Sequence, residues 1–233
     1  MHGAWHTGTA WRGVIKRLTA LGHKAFAPTL PGQDPDGPGH PISYDDYIAA
    51  VTNEVRALNT VVTLVGHSSA GHLIQAVAPH VADRLEHLIF HNAFVLGDGE
   101  CQLQHIPPEV GEMMMTTAYA RDDRAVPPDD GFVRNVLMAG DSKKDQDRVL
   151  AQLVPQPIAF FETPVATEAF KKLTVSRSVV FATQDSSLPK GAYLSLAAEL
   201  GDCSIVQIPG GHEALIVDPL TVADAFVRAG DKN

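Results

Sequence analysis

Two hydrophobic periods alternate along the first ninety residues and again along the last sixty. Trp11, Val14, Ile15 and Leu18 share one face of a helix predicted over residues 9–21, which Gly22 ends. A short strand is predicted over 24–28, and then Pro31, Gly32, Pro35, Gly37, Pro38 and Gly39 break any regular element. Ser43 with Asp46 three positions later has the form of a capping box, opening a helix that turns Tyr47, Ile48, Val51 and Val55 inward. The run 61–65 is a strand, Leu73, Ile74, Val77 and Val81 mark a helix, and 88–90 is another strand.

The pattern changes after that. Residues 94–172 are rich in Met, Pro and charge and show helical pieces without a clear buried strand. Alternation resumes with a strand over 178–182, a helix over 190–200, a strand over 204–208 and a closing helix over 219–229. Strands alternating with helices imply a mostly parallel sheet covered on both faces. The flanking halves are incomplete alone, so residues 1–93 and 173–233 form one α/β core and 94–172 an inserted, mainly helical cap. Met113 to Met115, Phe132, Leu137, Met138, Phe160 and Phe161 are either ordinary cap core, the reading favoured for most of them, or the lining of an apolar pocket.

Composition narrows the classes. At 233 residues the chain suits one domain with an insertion. A net charge of -9 repels nucleic acid, and Lys143 and Lys144 sit among Asp141, Asp145 and Asp147 as a solvated helix face. Cys101 and Cys203 form no C-x-x-C pair, so free thiols in the cytoplasm are expected. No apolar run reaches the roughly 20 residues of a membrane span, and no export leader is read at the N-terminus. Eleven histidines make no H-E-x-x-H or similar spacing, so neither a metal nor another cofactor is expected.

The chemistry starts at Gly66-His67-Ser68-Ser69-Ala70, where a strand delivers a serine onto a turn of small residues. This is the form of a nucleophile elbow, with Ala70 where the common G-x-S-x-G pattern has glycine. A serine hydroxyl needs a base, and the base needs a carboxylate to fix its tautomer. Asp185 and His212 each follow a predicted strand, at the carboxyl ends where catalytic groups of such sheets collect. The order Ser68, Asp185, His212 is the one expected of α/β-hydrolases. Asp98 also follows a strand and is the reserve acid. His67 and His72 adjoin Ser68 in sequence but point elsewhere on an elbow, as packing or pocket residues. The tetrahedral intermediate needs two donors, and the backbone N–H groups of Ser69 and Ala4 are the candidates.

His2-Gly3-Ala4-Trp5, Trp11, Leu30-Pro31-Gly32, Gly66-His67-Ser68, His91-Asn92, Asp185 and Gly211-His212 together resemble the α/β-hydrolase superfamily. Within it the resemblance is to the branch of plant methylesterases and hydroxynitrile lyases with their microbial esterase relatives. Members of that branch carry a strand immediately before the His-Gly turn, lying between the strands that here are 24–28 and 61–65. This chain begins at Met1, so that strand is expected to be absent, leaving both neighbours short of ladder partners and the fold poorly stable. The lyases place a lysine directly after the catalytic histidine, whereas Glu213 stands here, which disfavours handling of cyanide. The resemblance therefore implies a serine carboxylesterase acting on small, largely apolar esters through an acyl-enzyme, with no nucleic-acid or membrane partner and a homodimer left open. Lyase, lactonase or carbon-carbon hydrolase chemistry on the same triad, or a low-turnover small-ligand receptor, are the alternatives.

Overall fold

In the computed structural model, which describes residues 1–35, 38–189 and 191–230, a four-stranded parallel sheet forms the centre of the molecule. Its strands are β1 (Val62–His67), β2 (Leu85–His91), β5 (Ser176–Ala182) and β6 (Ser204–Ile208), in the order β1-β2-β5-β6. Between β2 and β5 lies a two-residue antiparallel ribbon, β3 (Ala125–Val126) against β4 (Gln156–Pro157). A two-residue strand leaves no alternation in sequence, which is why the pattern did not announce the ribbon.

Side chains alternate across the sheet as its period requires. On β2, Leu88 and Phe90 join a core with Tyr47, Leu73, Ile74 and Val179, while Ile89 faces the opposite way into a core with Trp11, Val14, Val180 and Phe226. Both faces are dry. The helices that cover them are α1 (Arg12–Ala20), α2 (Tyr44–Ala57) and α3 (Ala70–Val77), joined by Ala192–Ala198 and Pro219–Gly230.

Helix ends follow local chemistry. The first predicted helix divides into a 3₁₀ turn, Gly8–Trp11, and α1, which stops where Gly22 takes a left-handed φ of 92°. The capping box is present on α2, with Ser43 N donating to Asp46 Oδ2 at 2.8 Å and Ser43 Oγ accepting from Asp46 N at 3.3 Å. Helix α3 ends at Val77, short of the predicted Val81, because Pro79 in the following 3₁₀ turn supplies no N–H to continue it. Of the helix predicted over 190–200, Lys190 lies outside the described residues, as do Asp36 and Gly37 in the turn-rich stretch.

The expected strand over 24–28 is not formed. Its residues make no ladder, and an extended chain without a partner is not a strand. Beside β1 on that side sits Met1, its amine donating to Val65 O and its carbonyl accepting from His67 N at 3.1 Å.

The segment between β2 and β5 contains helices Pro108–Tyr119 and Lys143–Leu150 and several single turns. Its apolar residues divide. Met138 packs with Val133, Leu137 and Val149, and Phe160 packs into the main core, whereas Met114 and Phe161 gather with Ala4 next to the elbow. Among the described residues, no helix is long and apolar enough to cross a membrane.

Candidate active site

Strand β1 runs to His67 and stops because Ser68 adopts φ 53°, a left-handed conformation that a side chain other than glycine's rarely takes. Three backbone bonds hold it there: Ser68 N donates to His91 O at 3.1 Å, and Ser68 O accepts from Gly71 N at 3.0 Å and Phe94 N at 3.1 Å. Close approach is what demands glycine nearby. A Cβ on Gly66 would stand 2.7 Å from Ala70 O, and one on Gly71 only 2.2 Å from Phe94 O. The tightest position is therefore Gly71, one residue beyond the Ala70 that departs from the usual pattern.

The other two groups of the predicted trio arrive on the loops after β5 and β6. His212 Nε2 lies 3.0 Å from Ser68 Oγ, and His212 Nδ1 lies 2.7 Å from Asp185 Oδ2. The loops are tied to each other, since Gln184 N donates to Gly210 O and Gly210 N to Gln184 Oε1, each at 2.9 Å. Asn92, at φ 44°, spans the gap between strand and loop. Its Oδ1 accepts from Ala182 N at 2.8 Å, and its Nδ2 donates to Gly211 O at 3.3 Å and His212 O at 3.2 Å.

Electrostatics follow from this packing. Burial would push the Asp185 carboxyl up, but the adjacent His212 and bonds from His212, Tyr193 and Ser187 hold it at about 2. Burial would likewise lower the His212 imidazole, yet the charge and hydrogen bond of Asp185, with Glu213 behind, raise it above the ordinary value. Tyr193 and Ser187 were not legible beforehand. Tyr193 Oη donates to Asp185 Oδ2 at 2.6 Å, and Ser187 N donates to Asp185 Oδ1 at 2.8 Å. The signal that could have found the first is a Tyr in the helix that follows Asp185.

Asp98, the reserve acid, is elsewhere. Its Oδ1 accepts from Thr167 N at 2.7 Å and Glu168 N at 3.2 Å, capping the single turn Glu168–Lys171. His67 donates from Nε2 to His212 O at 3.1 Å and is held well below the imidazole range, first by burial. His72 lies between Tyr44 Oη at 2.7 Å and Gln102 Oε1 at 3.1 Å, with burial lowering it to about 4. Both are packing residues.

The loop bearing Ala4 presses on the elbow: a Cβ on Gly3 would stand 2.8 Å from Ser68 Cβ. Trp5, at φ 61°, anchors that loop to the segment above it. Its N donates to Gln156 Oε1 at 3.1 Å, its Nε1 to Val126 O at 3.0 Å, and its O accepts from Val154 N at 2.8 Å. Ala4, Ser68, Ser69 and His212 open into one cavity of about 1150 Å³, whose walls include Trp5, Phe94, Met113, Met114, Phe132 and Phe161. Among the described residues no group of three or more His, Cys, Asp or Glu is placed to hold a metal ion.

Residues 1–225 match the model of the alpha/beta hydrolase family. The chain belongs to that family. This hydrolase is 26% identical to a carbendazim hydrolyzing esterase of Nocardioides sp. (strain SG-4G), over 99% of its own length and 98% of that protein's. It is 25% identical to a pyrethroid hydrolase of Sphingobium wenxiniae, covering 99% of this chain and 86% of the other. Among solved structures, an extracellular alpha/beta-hydrolase from a Paenibacillus species superposes with a TM-score of 0.92 at 24% identity, over 100% of this chain and 98% of that one. A methylesterase from Arabidopsis gives a TM-score of 0.75 at 19% identity, over 98% and 96%. The fold and the family expected from the motifs are those found.

Proposed function

We propose that this hydrolase is a serine carboxylesterase working through an acyl-enzyme, with Ser68 as nucleophile, His212 as base and Asp185 as the carboxylate that orients it. The observation that carries the reading is the continuous chain Ser68 Oγ, His212, Asp185, at 3.0 Å and 2.7 Å, at the floor of an apolar cavity. Ser68 Oγ attacks the ester carbonyl as His212 Nε2 takes its proton, and Asp185 stabilises the imidazolium so formed. The oxyanion is received by the N–H groups of Ala4 and Ser69, the latter at the positive end of α3. His212 then gives the proton to the departing alcohol, and a water activated by the same imidazole releases the acid and restores Ser68.

Substrate size follows from the cavity. Sites that enclose drug-sized molecules measure roughly 300–1,000 Å³, and about 1150 Å³ exceeds what a short acetate fills. Among the small, largely apolar esters expected, those carrying an aromatic or branched apolar group fill such a cavity best, and ester cleavage is what the names of the carbendazim esterase and the Arabidopsis methylesterase denote. The segment 94–172 serves as the cap, since it supplies Met113, Met114, Phe132 and Phe161 to the walls. Two free cysteines favour a reducing compartment such as the cytoplasm. Hydroxynitrile lyase chemistry is disfavoured by the buried Glu213 directly after His212.

A fluorophosphonate probe is expected to label Ser68, and Ser68→Ala to lose p-nitrophenyl ester turnover by on the order of 10⁴-fold or more. Retained turnover in that variant would overturn the assignment.

A further inference from the structure

Two histidines of the loop that bears Ala4 have opposite surroundings. His2 Nδ1 donates to Gly3 O at 2.9 Å and its Nε2 accepts from Leu30 N at 3.0 Å. One donor and one acceptor define a neutral ring. His6 differs: Nδ1 lies 2.8 Å from Ala4 O, and Nε2 lies 3.1 Å from Glu213 Oε2. The atom facing each ring nitrogen is an acceptor oxygen, although the Nε2 contact is not a geometric hydrogen bond, and only an imidazolium presents a proton to both.

The pair is closed to water, with the His6 side chain 4% exposed and that of Glu213 0%. The contact lies off the hydrogen-bond line, and among the described residues neither Glu213 oxygen has a hydrogen-bond partner, so charge rather than directed bonding holds the carboxylate. A buried carboxylate without a cation would be strongly disfavoured. Burial works against charge on both groups, yet mutual attraction raises His6 and lowers Glu213.

His6 also holds the loop from two directions. Its side chain binds Ala4 O, and its backbone N donates to Gly3 O at 3.4 Å. Carbonyl and N–H of a trans peptide point opposite ways, so fixing Gly3 O aims the Ala4 N–H away from His6.

We propose that His6 is a positioning residue kept as an imidazolium by Glu213, that it sets the Ala4 N–H for the oxyanion, and that it cancels the Glu213 charge there. The assignment rests on Ala4 being an oxyanion donor and goes beyond the triad. Its logic is a balance of charge. Asp185 and Glu213 are two carboxylates close to a site where negative charge develops; His212 balances one of them when it takes the serine proton, and His6 permanently balances the other. The charged or ionisable groups that interact with His6 are Glu213, His212, His67 and His2, and Asp141 interacts in turn with Glu213.

The test uses the full chain. Nitrogen-15 NMR at about pH 7 is expected to show His6 with protons on both ring nitrogens and His2 with one, and Glu213→Gln to return His6 to a single proton. A neutral His6 in the unsubstituted protein would overturn the proposal without any variant. In steady-state kinetics with p-nitrophenyl butyrate, His6→Asn retains a donor toward Ala4 O but no charge. It is expected to lower kcat by about 10- to 100-fold with KM within about twofold, the range expected when an oxyanion contact is weakened rather than lost. An unchanged kcat in a folded His6→Asn protein would refute it while leaving the triad intact. Full activity in Ser68→Ala would instead refute the triad itself.

Discussion

Tyr193→Phe removes a single oxygen from the site and leaves the ring. Tyr193 is 8% exposed, stacks on Phe181 with centroids 6.5 Å apart, and donates to Asp185 Oδ2 at 2.6 Å, the same oxygen that His212 Nδ1 approaches at 2.7 Å. A hydrogen bond to a charged group contributes about 1.5–3 kcal/mol. Here Ser187 Oγ, 2.8 Å from the phenol and 3.1 Å from His212 Nδ1, re-aims its proton and offsets part of the loss, which places the expected cost near the lower end. For a chain of this length each kcal/mol corresponds to roughly 2–4 °C in Tm, so the variant should melt about 3–6 °C lower. With one donor gone, the Asp185 carboxylate is less satisfied and attracts the His212 proton more strongly. The acid limb of kcat/KM, followed with p-nitrophenyl butyrate across pH, should therefore move to higher pH. A limb that stays in place or moves to lower pH, in a protein that melts within 1 °C of its parent, would refute the placement of Tyr193 on the acid.

Three further outcomes are expected. In the unsubstituted protein the acid limb should have its midpoint above the ordinary histidine value of about 6.5, because Asp185 raises His212 and the base is lost as pH falls through that raised value; a midpoint below about 6 would contradict it. Asp98→Asn should leave kcat/KM within about twofold and cost about 0.5–2 kcal/mol of stability in denaturant titration, as for a weakened helix cap; a large loss of rate with unchanged stability would reopen its candidacy as the acid. Gly71→Ala puts a Cβ 2.2 Å from Phe94 O, whose own N–H holds Ser68 O. It should cost about 3 kcal/mol or more and remove probe labelling of Ser68, whereas a stable, labelled variant would show that the elbow has room to spare.

Much of this molecule was written locally. The period of apolar residues marked β1, β2, β5, β6 and the helices that cover them, since each element's side-chain period is a property of its own few residues. Small residues around Ser68, and Asp185 and His212 after strands, pointed to the candidate trio because turn chemistry is local too. What the pattern marked wrongly, residues 24–28, shows the limit: extended backbone is encoded locally, but a ladder partner is not. The tertiary structure alone decided everything that depends on distant residues meeting. Ser68 and His212 are 144 positions apart, Asn92 reaches 120 positions to His212 O, and Trp5 reaches 151 to Gln156. Glu213 in sequence was only a negative charge after a histidine, and burial against His6, itself faced by a second acceptor, is what turns it into half of an ion pair. Protonation states belong to that second class, because they depend on which donors and acceptors surround a ring, and only the folded chain brings those together.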